Sequence, residues 1–488
     1  MHKSTIMKQY PALFLLLALL FTVSYGQTAR SMHWYFGHKA GIDFSSGSPV
    51  ADTNGQLVSI ENSSAISDLS GNLLFYSNGT EVRNRQHAIM PNGSGINGNQ
   101  SALQGSIVIP IPTRPNEYYL VVISESGTLS YSKIDITLNN GLGDITEKNV
   151  LLGEYSSEGM AATIHCNQEN YWLLIREVAG TVLKFRSYEI SASGMSAPVI
   201  SSFLLPEIMD DPVSSITFAE TGNILCYTAL GTQAIYLFDF DQQTGGLAFR
   251  DSISTRENEI AYSTAFSGSK TKLYATMWDQ EYCRVSQFDL SAADITASRV
   301  DLDSVYFGNG SPNGYGFIGQ MRLTPDHQLL ISRWKQDDPP VTTESPYSLD
   351  SLDCIQFPDL AGTAAGFQRN YLYLQHRPVM LGLPNFVSTF TGEVDLDFHC
   401  PDSTASLREN GFTGIEIYPN PVKTELNVHT TSGGEFTVKL FDNTGKNLQH
   451  VVSSGESAVI GMSGLAAGIY FLKVNRADTI ETFRIIKD

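Results

Sequence analysis

The stretch that decides the fold begins Phe218-Ala219-Glu220-Thr221-Gly222-Asn223-Ile224-Leu225 and continues to Phe238-Asp239-Phe240. Its first part is typical of a hairpin, because two apolar runs flank a polar turn in which Gly222 and Asn223 tolerate a left-handed backbone. The triplet that follows alternates apolar and acidic side chains, as a half-buried strand does. The stretch therefore predicts successive antiparallel strands.

Both parts of this stretch recur along the chain. The triplet returns with its acids about 50 residues apart, as Ile134-Asp135-Ile136, Tyr188-Glu189-Ile190 and Phe288-Asp289-Leu290. The hairpin returns at residues 66–76, 164–172, 266–274 and 323–330. One supersecondary unit repeated at this period indicates the four-stranded blades of a β-propeller.

The repeats predict an all-β protein with a propeller over residues 31–395. Six WD-repeat-like blades begin near Ser63, Gly105, Gly159, Ser214, Tyr262 and Gly316. A partial unit runs from Pro378 to Phe386, and we expect residues 34–37 and 41–44 to complete it, since such closure removes two exposed sheet edges. The count is therefore seven blades, with six or eight as the alternatives.

The last part of the chain carries a different set of motifs. These are Ile415-Glu416-Ile417-Tyr418-Pro419-Asn420-Pro421-Val422, Leu440-Phe441-Asp442-Asn443-Thr444-Gly445-Lys446, Leu465-Ala466-Ala467-Gly468-Ile469-Tyr470-Phe471-Leu472-Lys473-Val474 and Phe483-Arg484-Ile485-Ile486-Lys487-Asp488. In this order they closely resemble the C-terminal sorting domain of type A cargo of the type IX secretion system of Bacteroidetes. The resemblance implies that residues 415–488 form a small β-sandwich that the type IX secretion machinery recognises. It also implies that this tail is removed after translocation, leaving the propeller released or attached to surface lipopolysaccharide.

The beginning of the chain also predicts export from the cytoplasm. Lys3 and Lys8 precede an apolar run at residues 11–23, and Ser24-Tyr25-Gly26 supplies small residues before a cut. These features are typical of a signal peptide, residues 1–26, because the apolar run is shorter than the roughly 20 residues that a spanning helix needs. We expect a polar linker at residues 396–414, no transmembrane segment, and a location outside the cell or on its surface, reached through the periplasm.

A second resemblance concerns the propeller. Residues 34–44 and 65–76 and the run Gly382-Leu383-Pro384-Asn385-Phe386 resemble the propeller of large Bacteroidetes surface proteins, which often carry type IX sorting tails. Most members of that family have no assigned biochemical role. The resemblance therefore implies a propeller fold and a location at the bacterial surface, and it identifies no catalytic residue.

The net charge and the cysteine content limit the classes of ligand that the protein is expected to bind. The formal net charge of −19 argues against nucleic acid, which is bound by an excess of Lys and Arg. The five cysteines lack a CxxC pair and predict no structural zinc. Cys166, Cys226 and Cys283 lie in apolar runs and are expected to be buried free thiols. Cys354 and Cys400 are the expected disulfide pair.

The sequence contains no catalytic motif, and we expect no cofactor and no metal. His165 and His327 are isolated, and neither is expected to be a metal ligand. The loops that enter the innermost strands converge on the central channel of a propeller, and acids occur there at Glu61, Glu158, Asp211 and Glu259. Such acids suit a cation, a basic peptide or acid–base chemistry on a glycan, or they are ordinary solvated loop acids. Trp278 and Trp334 are either a sugar platform or part of the core.

Three functions fit these observations. The first is a binding or adhesion propeller that takes a glycan or a peptide in its channel. The second is a hydrolase or lyase acting on polysaccharide or peptide. The third is a structural component of the cell surface or gliding apparatus. The absence of a catalytic motif favours the first.

Deleting residues 482–488 should strand a folded propeller in the periplasm, because the deletion removes the last predicted strand, in which Phe483, Ile485 and Ile486 supply the apolar side chains. Fractionation of cells that express the truncated chain measures this. Normal secretion or surface display of the truncated chain would contradict the assignment of the tail as the sorting signal.

Overall fold

The computed structural model describes residues 27–155, 158–179, 182–205, 213–306, 317–334, 349–391, 400, 415–430, 434–442, 446–476 and 479–488. The chain divides into two compact units, Met1–Cys400 and Pro401–Asp488. The predicted signal peptide and, apart from Cys400, the predicted linker lie outside the described residues.

The described residues of the first unit form seven antiparallel sheets. The sheet nearest the N-terminus has three strands, β1 (His33–Phe36), β2 (Ala40–Asp43) and β3 (Val50–Ala51). Blade 1 comprises β4 (Ser64–Ser67), β5 (Leu73–Ser77), β6 (Glu81–Asn84) and β7 (Ile89–Ser94); blade 2 comprises β8 (Ser106–Ile111), β9 (Arg114–Ile123), β10 (Thr128–Asp135) and β11 (Asp144–Glu154). Blade 3 comprises β12 (Met160–Ile164), β13 (Tyr171–Ala179), β14 (Val182–Ser191), β15 (Gly194–Met195) and β16 (Val199–Leu204), the last two both pairing with β14.

Three further four-stranded sheets follow. Blade 4 comprises β17 (Ser214–Phe218), β18 (Ile224–Ala229), β19 (Ala234–Phe240) and β20 (Leu247–Ser254). Blade 5 comprises β21 (Ile260–Phe266), β22 (Lys272–Trp278), β23 (Tyr282–Asp289) and β24 (Val300–Tyr306), and blade 6 comprises β25 (Phe317–Leu323), β26 (Leu329–Trp334), β27 (Ser351–Ile355) and β28 (Phe367–Tyr373). In the part of the chain that the structure describes, helical structure is confined to single turns at Ala29–Ser31, Leu138–Gly141, Thr296–Ser298, Gly362–Ala365 and Ser388–Phe390.

The repeat therefore predicted the blades correctly. The first strands of blades 1 to 6 begin within two residues of the predicted starts, and neighbouring first strands contact one another around the central channel. The acids of the triplets, Asp135, Glu189, Asp239 and Asp289, all lie on the third strand of their blades. The all-β propeller followed by a separate β tail is confirmed.

The predicted completion of the last blade was wrong in its pairing. Residue 378 does contact the N-terminal sheet. The His38 N–H, in the turn between β1 and β2, donates a hydrogen bond to the Pro378 carbonyl (2.9 Å). The next residues leave this sheet and enter the channel, where Asn385 forms a parallel bridge with Ser64 and Val387 forms one with Ala162. Residues 381–390 are called the closing segment below.

The closing segment joins blades that are distant in sequence. The Leu381 N–H donates to the Ile60 carbonyl (3.0 Å) beside blade 1, and the Leu381 carbonyl accepts from the Gln320 N–H (2.9 Å) of blade 6. The Asn385 amide donates to the Met160 carbonyl (3.0 Å) of blade 3. Side-chain and backbone groups of one segment thus replace the contacts that a seventh innermost strand would make.

Close backbone approach explains the glycines at this point. A Cβ on Gly382 would lie 2.0 Å from the Glu61 carbonyl oxygen, and a Cβ on Gly319 would lie 2.4 Å from the Leu381 carbonyl oxygen. Both contacts are too short for any side chain, so only glycine allows the segment to reach the innermost strands.

The structure contradicts the predicted disulfide. Cys400 is bonded to Cys166, whereas Cys226, Cys283 and Cys354 are buried free thiols. Cys354 lies on β27 inside blade 6, fully buried. Cys166 follows the end of β12 and receives a hydrogen bond from the Cys400 N–H (3.1 Å). The apolar run before Cys166 concealed its position at the start of a turn, where the returning chain meets it.

The second unit consists of two sheets. One contains β29 (Ile415–Tyr418), β30 (Glu425–Thr430) and β33 (Ser457–Gly461); the other contains β31 (Phe436–Phe441), β32 (Asn447–Ser453), β34 (Gly468–Arg476) and β35 (Thr479–Lys487). Val428, Leu440, Leu472 and Ile485 meet in its core. Phe483 and Ile485 of the last strand face this core, whereas Ile486 alternates to the opposite face, so only two of the three predicted side chains share the apolar face.

Non-reducing peptide mapping should recover Cys166 linked to Cys400. The bond closes a sequence separation of 234 residues, and its removal should cost about 3–5 kcal/mol because the unfolded chain regains freedom. Denaturant unfolding of the protein with and without reductant measures this loss. Cys400→Ser is the matched control, since reductant should then have no further effect. An equal response of Cys400→Ser and the unaltered protein would contradict the pairing.

Candidate ligand-binding site

A cavity of about 250 Å³ lies at the end of the channel where the chain enters the innermost strands. We call it the channel-mouth cavity. Its described lining comes from blades 1 to 6 and from the closing segment: Glu61, Ser101, Glu158, Val213, Leu230, Tyr262, Trp278, Phe317, Trp334 and Leu381. A second, smaller cavity is bordered by Asn385, Phe386 and Ser388. The closing segment therefore contributes to the lining of both cavities.

Four aromatic side chains make a continuous wall of the channel-mouth cavity. Tyr262 stacks on Trp278 with ring centroids 4.1 Å apart and planes 12° apart. Trp278 meets Phe317 at 5.0 Å and 54°, and Phe317 lies 6.0 Å from Trp334. The Trp278 indole N–H donates to the Ile318 carbonyl (2.7 Å), which fixes the ring. The change of plane between Trp278 and Phe317 makes an aromatic corner.

The strand register explains this wall. Trp278 ends the second strand of blade 5 opposite Ile260, and Trp334 ends the second strand of blade 6 opposite Phe317. Since the start of a first strand and the end of a second strand lie at the same end of a blade, the rings gather at the channel mouth. Both tryptophans that the sequence suggested thus line the cavity, together with Tyr262 and Phe317, for which no sequence pattern predicted this position.

Glu61 lies at the polar side of this cavity, next to the aromatic wall. One carboxylate oxygen, Oε1, accepts a hydrogen bond from the Tyr262 hydroxyl (2.7 Å), and Oε2 accepts one from the Ser101 hydroxyl (3.0 Å). Burial raises the pKa of Glu61, and these two hydrogen bonds oppose that rise without cancelling it. The pKa of Tyr262 is raised well above its usual value by burial and by the neighbouring Glu61 charge.

The other three predicted acids have different positions. Glu158 lines the cavity and accepts a hydrogen bond from the Leu103 N–H (2.9 Å). Glu259 lies elsewhere, fully buried, where it pairs with Arg284 (3.1 Å) and Arg299 (2.8 Å). Burial alone would raise the pKa of Glu259, but the hydrogen bonds and charge of Arg299 lower it below the usual value. Asp211 lies outside the described residues.

The histidine predicted to be isolated has close neighbours. The ligand atoms of His165, Cys166 and Cys400 lie within 4.8 Å of one another. The two sulfurs are joined as a disulfide, and His165 Nδ1 accepts a hydrogen bond from the Asn167 N–H (3.0 Å). The group therefore acts as a structural junction in the oxidised protein. His327 occupies the turn between β25 and β26 with a positive φ.

One part of the chain matches a known family. Residues 416–488 match the family described as "Secretion system C-terminal sorting domain". The tail is therefore a type IX sorting domain, and the protein is exported for secretion or for display on the cell surface. No curated protein sequence matches the chain. Within the described residues, no helix has the length and apolarity needed to cross a bilayer.

Several solved structures are similar to this chain at low identity. The periplasmic gluconolactonase PpgL of Pseudomonas aeruginosa has 11% identity and a TM-score of 0.38, and the match covers 79% of this chain and 96% of that one. A putative 6-phosphogluconolactonase of Bacteroides fragilis has 12% identity and a TM-score of 0.35, covering 80% and 94%. The Cps50 (Swd1) β-propeller domain of Myceliophteria thermophila has 11% identity and a TM-score of 0.35, covering 63% and 93%. Similarity at this level says nothing about the chemistry of this chain.

Tyr262→Phe should lower the free energy of unfolding by about 1–2 kcal/mol, because the ring stack on Trp278 remains while the hydrogen bond to the Glu61 carboxylate is lost. That bond stabilises the ionised carboxylate, so its loss should also raise the pKa of Glu61 further. The destabilisation should be greater at about pH 8 than at about pH 4, where the carboxyl group is protonated.

Chemical unfolding at the two pH values tests this prediction. Tyr306→Phe is the control, since Tyr306 is 42% exposed on the outer strand of blade 5. Equal stability of Tyr262→Phe and the unaltered protein at both pH values would contradict the interaction.

Proposed function

We propose that this protein is a secreted or surface-displayed β-propeller that binds an extracellular glycan or peptide in its channel-mouth cavity. The type IX sorting tail supplies the export, and the propeller supplies the binding. The tail would be recognised by the secretion machinery and would play no part in holding the ligand.

The composition of the cavity supports a binding role. It combines an aromatic wall, which offers apolar contact area, with the carboxylates of Glu61 and Glu158, which fix orientation. Because the lining comes from six blades and the closing segment, the side chains are positioned by the whole ring. A binding site built on strands and short connections keeps its geometry better than one on a long mobile loop.

One observation favours a hydrolase as the second candidate. Glu61 has a raised pKa, as a general acid requires, and Glu158 lines the same cavity. Two carboxyl groups flanking a scissile bond are the usual apparatus of glycosidases. Binding and turnover must therefore be measured on the same substrates.

The test is a screen of the full exported chain against glycan and peptide libraries, for binding and for cleavage. Trp278→Ala and Trp334→Ala should each weaken binding of any positive ligand at least tenfold, about 1.4 kcal/mol, by removing aromatic contact area. Phe249→Ala is the matched control, since Phe249 is 45% exposed on the outer strand of blade 4.

Three results separate the possibilities. Binding that depends on both tryptophans, without cleavage, supports the binding propeller. Cleavage that is abolished in Glu61→Gln supports the hydrolase. Binding that is unchanged in both tryptophan variants would place the ligand elsewhere and contradict the proposed site.

A further inference from the structure

The channel-mouth cavity has an unusual charge balance. Its described lining contains two carboxylates, from Glu61 and Glu158, and no Lys, Arg or His. The hydrogen-bond donors to Glu61 are the hydroxyls of Tyr262 and Ser101, which are neutral. Within the described lining, the Glu61 carboxylate is thus stabilised by hydrogen bonds from neutral groups, and no positively charged side chain of that lining balances its charge.

Two other buried carboxylates of the propeller are balanced by guanidinium groups. Glu259 lies among arginines, as described above, and the fully buried Asp353 pairs with Arg333. This pattern is expected, because burying an uncompensated charge is costly. Glu61 differs from these two acids, because its described hydrogen-bond donors are neutral and a cavity lies beside its carboxylate.

The aromatic wall suits a positive charge. The faces of Trp, Tyr and Phe rings attract cations, most strongly where water is excluded. Since Tyr262 both stacks on Trp278 and donates to Glu61, the ring faces and the carboxylate belong to one continuous surface. A flat sugar ring would find one face of Trp278 already covered by Tyr262, and it would bury the Glu61 charge without balancing it.

The size and floor of the cavity limit the ligand to a protruding group. Its volume of about 250 Å³ is below the roughly 300–1,000 Å³ of pockets that enclose a drug-sized molecule. Leu381 borders the cavity where the closing segment enters the channel, held by backbone hydrogen bonds to Ile60 and Gln320. A cavity of this volume fits a side chain or a chain end better than a longer stretch of chain.

We propose that the channel-mouth cavity receives the ammonium group of a lysine side chain presented by a basic peptide. This inference rests on the proposed binding function and makes it specific. The Glu61 carboxylate balances the charge, the corner formed by Trp278 and Phe317 contacts the methylene chain and the ammonium group, and the peptide backbone remains outside.

The test uses the full exported chain and a set of matched probes. These are Nα-acetyl-lysine methylamide, its Nε-acetylated form, a lysine-rich hexapeptide, 1,5-diaminopentane and a neutral cello-oligosaccharide. Calorimetry measures affinity, and tryptophan emission reports contact, because Trp278 and Trp334 line the cavity. Nε-acetylation should weaken binding at least tenfold, since it removes the charge and keeps the methylene chain.

Variants locate the interaction. Glu61→Gln should weaken binding of the lysine probe at least tenfold and leave binding of any neutral probe unchanged. Glu154→Gln, an exposed acid on β11, is the matched control and should bind as the unaltered protein does. The comparison between the lysine probe and its acetylated form needs no variant, so the test stands even if Glu61→Gln folds poorly.

Each outcome decides between the two proposals. Binding of the lysine probe or peptide that acetylation weakens supports the inference, whereas preference for 1,5-diaminopentane over the peptide would overturn the peptide source. Binding of the oligosaccharide alone, dependent on Trp278, would overturn the inference and leave the binding function standing. Equal affinity for the charged and acetylated probes would also overturn it. No binding by any probe and no change in tryptophan emission would overturn the inference. The proposed binding function would then be decided by the glycan and peptide library screen described above.

Discussion

The propeller depends on the hydrogen bonds that the closing segment makes inside the central channel. A ring of blades is stable only if its ends are joined, because an open ring exposes unpaired strand edges. Here residues 381–390 pair in parallel with Ser64 of blade 1 and Ala162 of blade 3, and they also bond to blade 6 through Gln320. Residues near the two ends of the propeller are also bonded to it. The Ser31 hydroxyl donates to the Phe390 carbonyl (2.6 Å), and the bond between Cys400 and Cys166 fixes the exit of the chain to blade 3.

This mode of closure also creates the site. Because the segment passes through the channel, its residues line both cavities, Leu381 the larger one and Asn385, Phe386 and Ser388 the smaller one. The aromatic corner and the two carboxylates of that cavity come from strands and connections that the ring holds in register. A change in the closing segment is therefore expected to alter both the stability of the ring and the shape of the cavity. Fold and site are linked through the same few backbone contacts.

The surroundings of the acidic side chains differ between Glu61 and the acids of blades 5 and 6. In blades 5 and 6, acids such as Glu259 and Asp353 are enclosed with Arg299 and Arg333, so their charges are neutralised within the fold. Among the described residues, the donors to the Glu61 carboxylate are two hydroxyl groups, and this carboxylate lies beside open space. Glu61 and Glu259 both occur in the short segments that precede first strands, whereas Asp353 lies on the third strand of its blade. The difference arises from whether arginines on the neighbouring strands reach them.

The sequence by itself determined the repeat, the blade boundaries and the sorting tail, because strand alternation, turn residues and motif order are local properties. It also predicted acids near the channel, Glu61 and Glu158 among them, since the segments that enter the innermost strands lie at the same end of a propeller; for Trp278 and Trp334 it left a sugar platform and the core as alternatives. Only the tertiary structure decided the rest. The route of the closing segment, the pairing of Cys400 with Cys166 and the enclosure of Glu259 by arginines are contacts between residues far apart in the chain. Such contacts depend on how the blades close into a ring, and no local sequence pattern shows which distant residues this closure brings together.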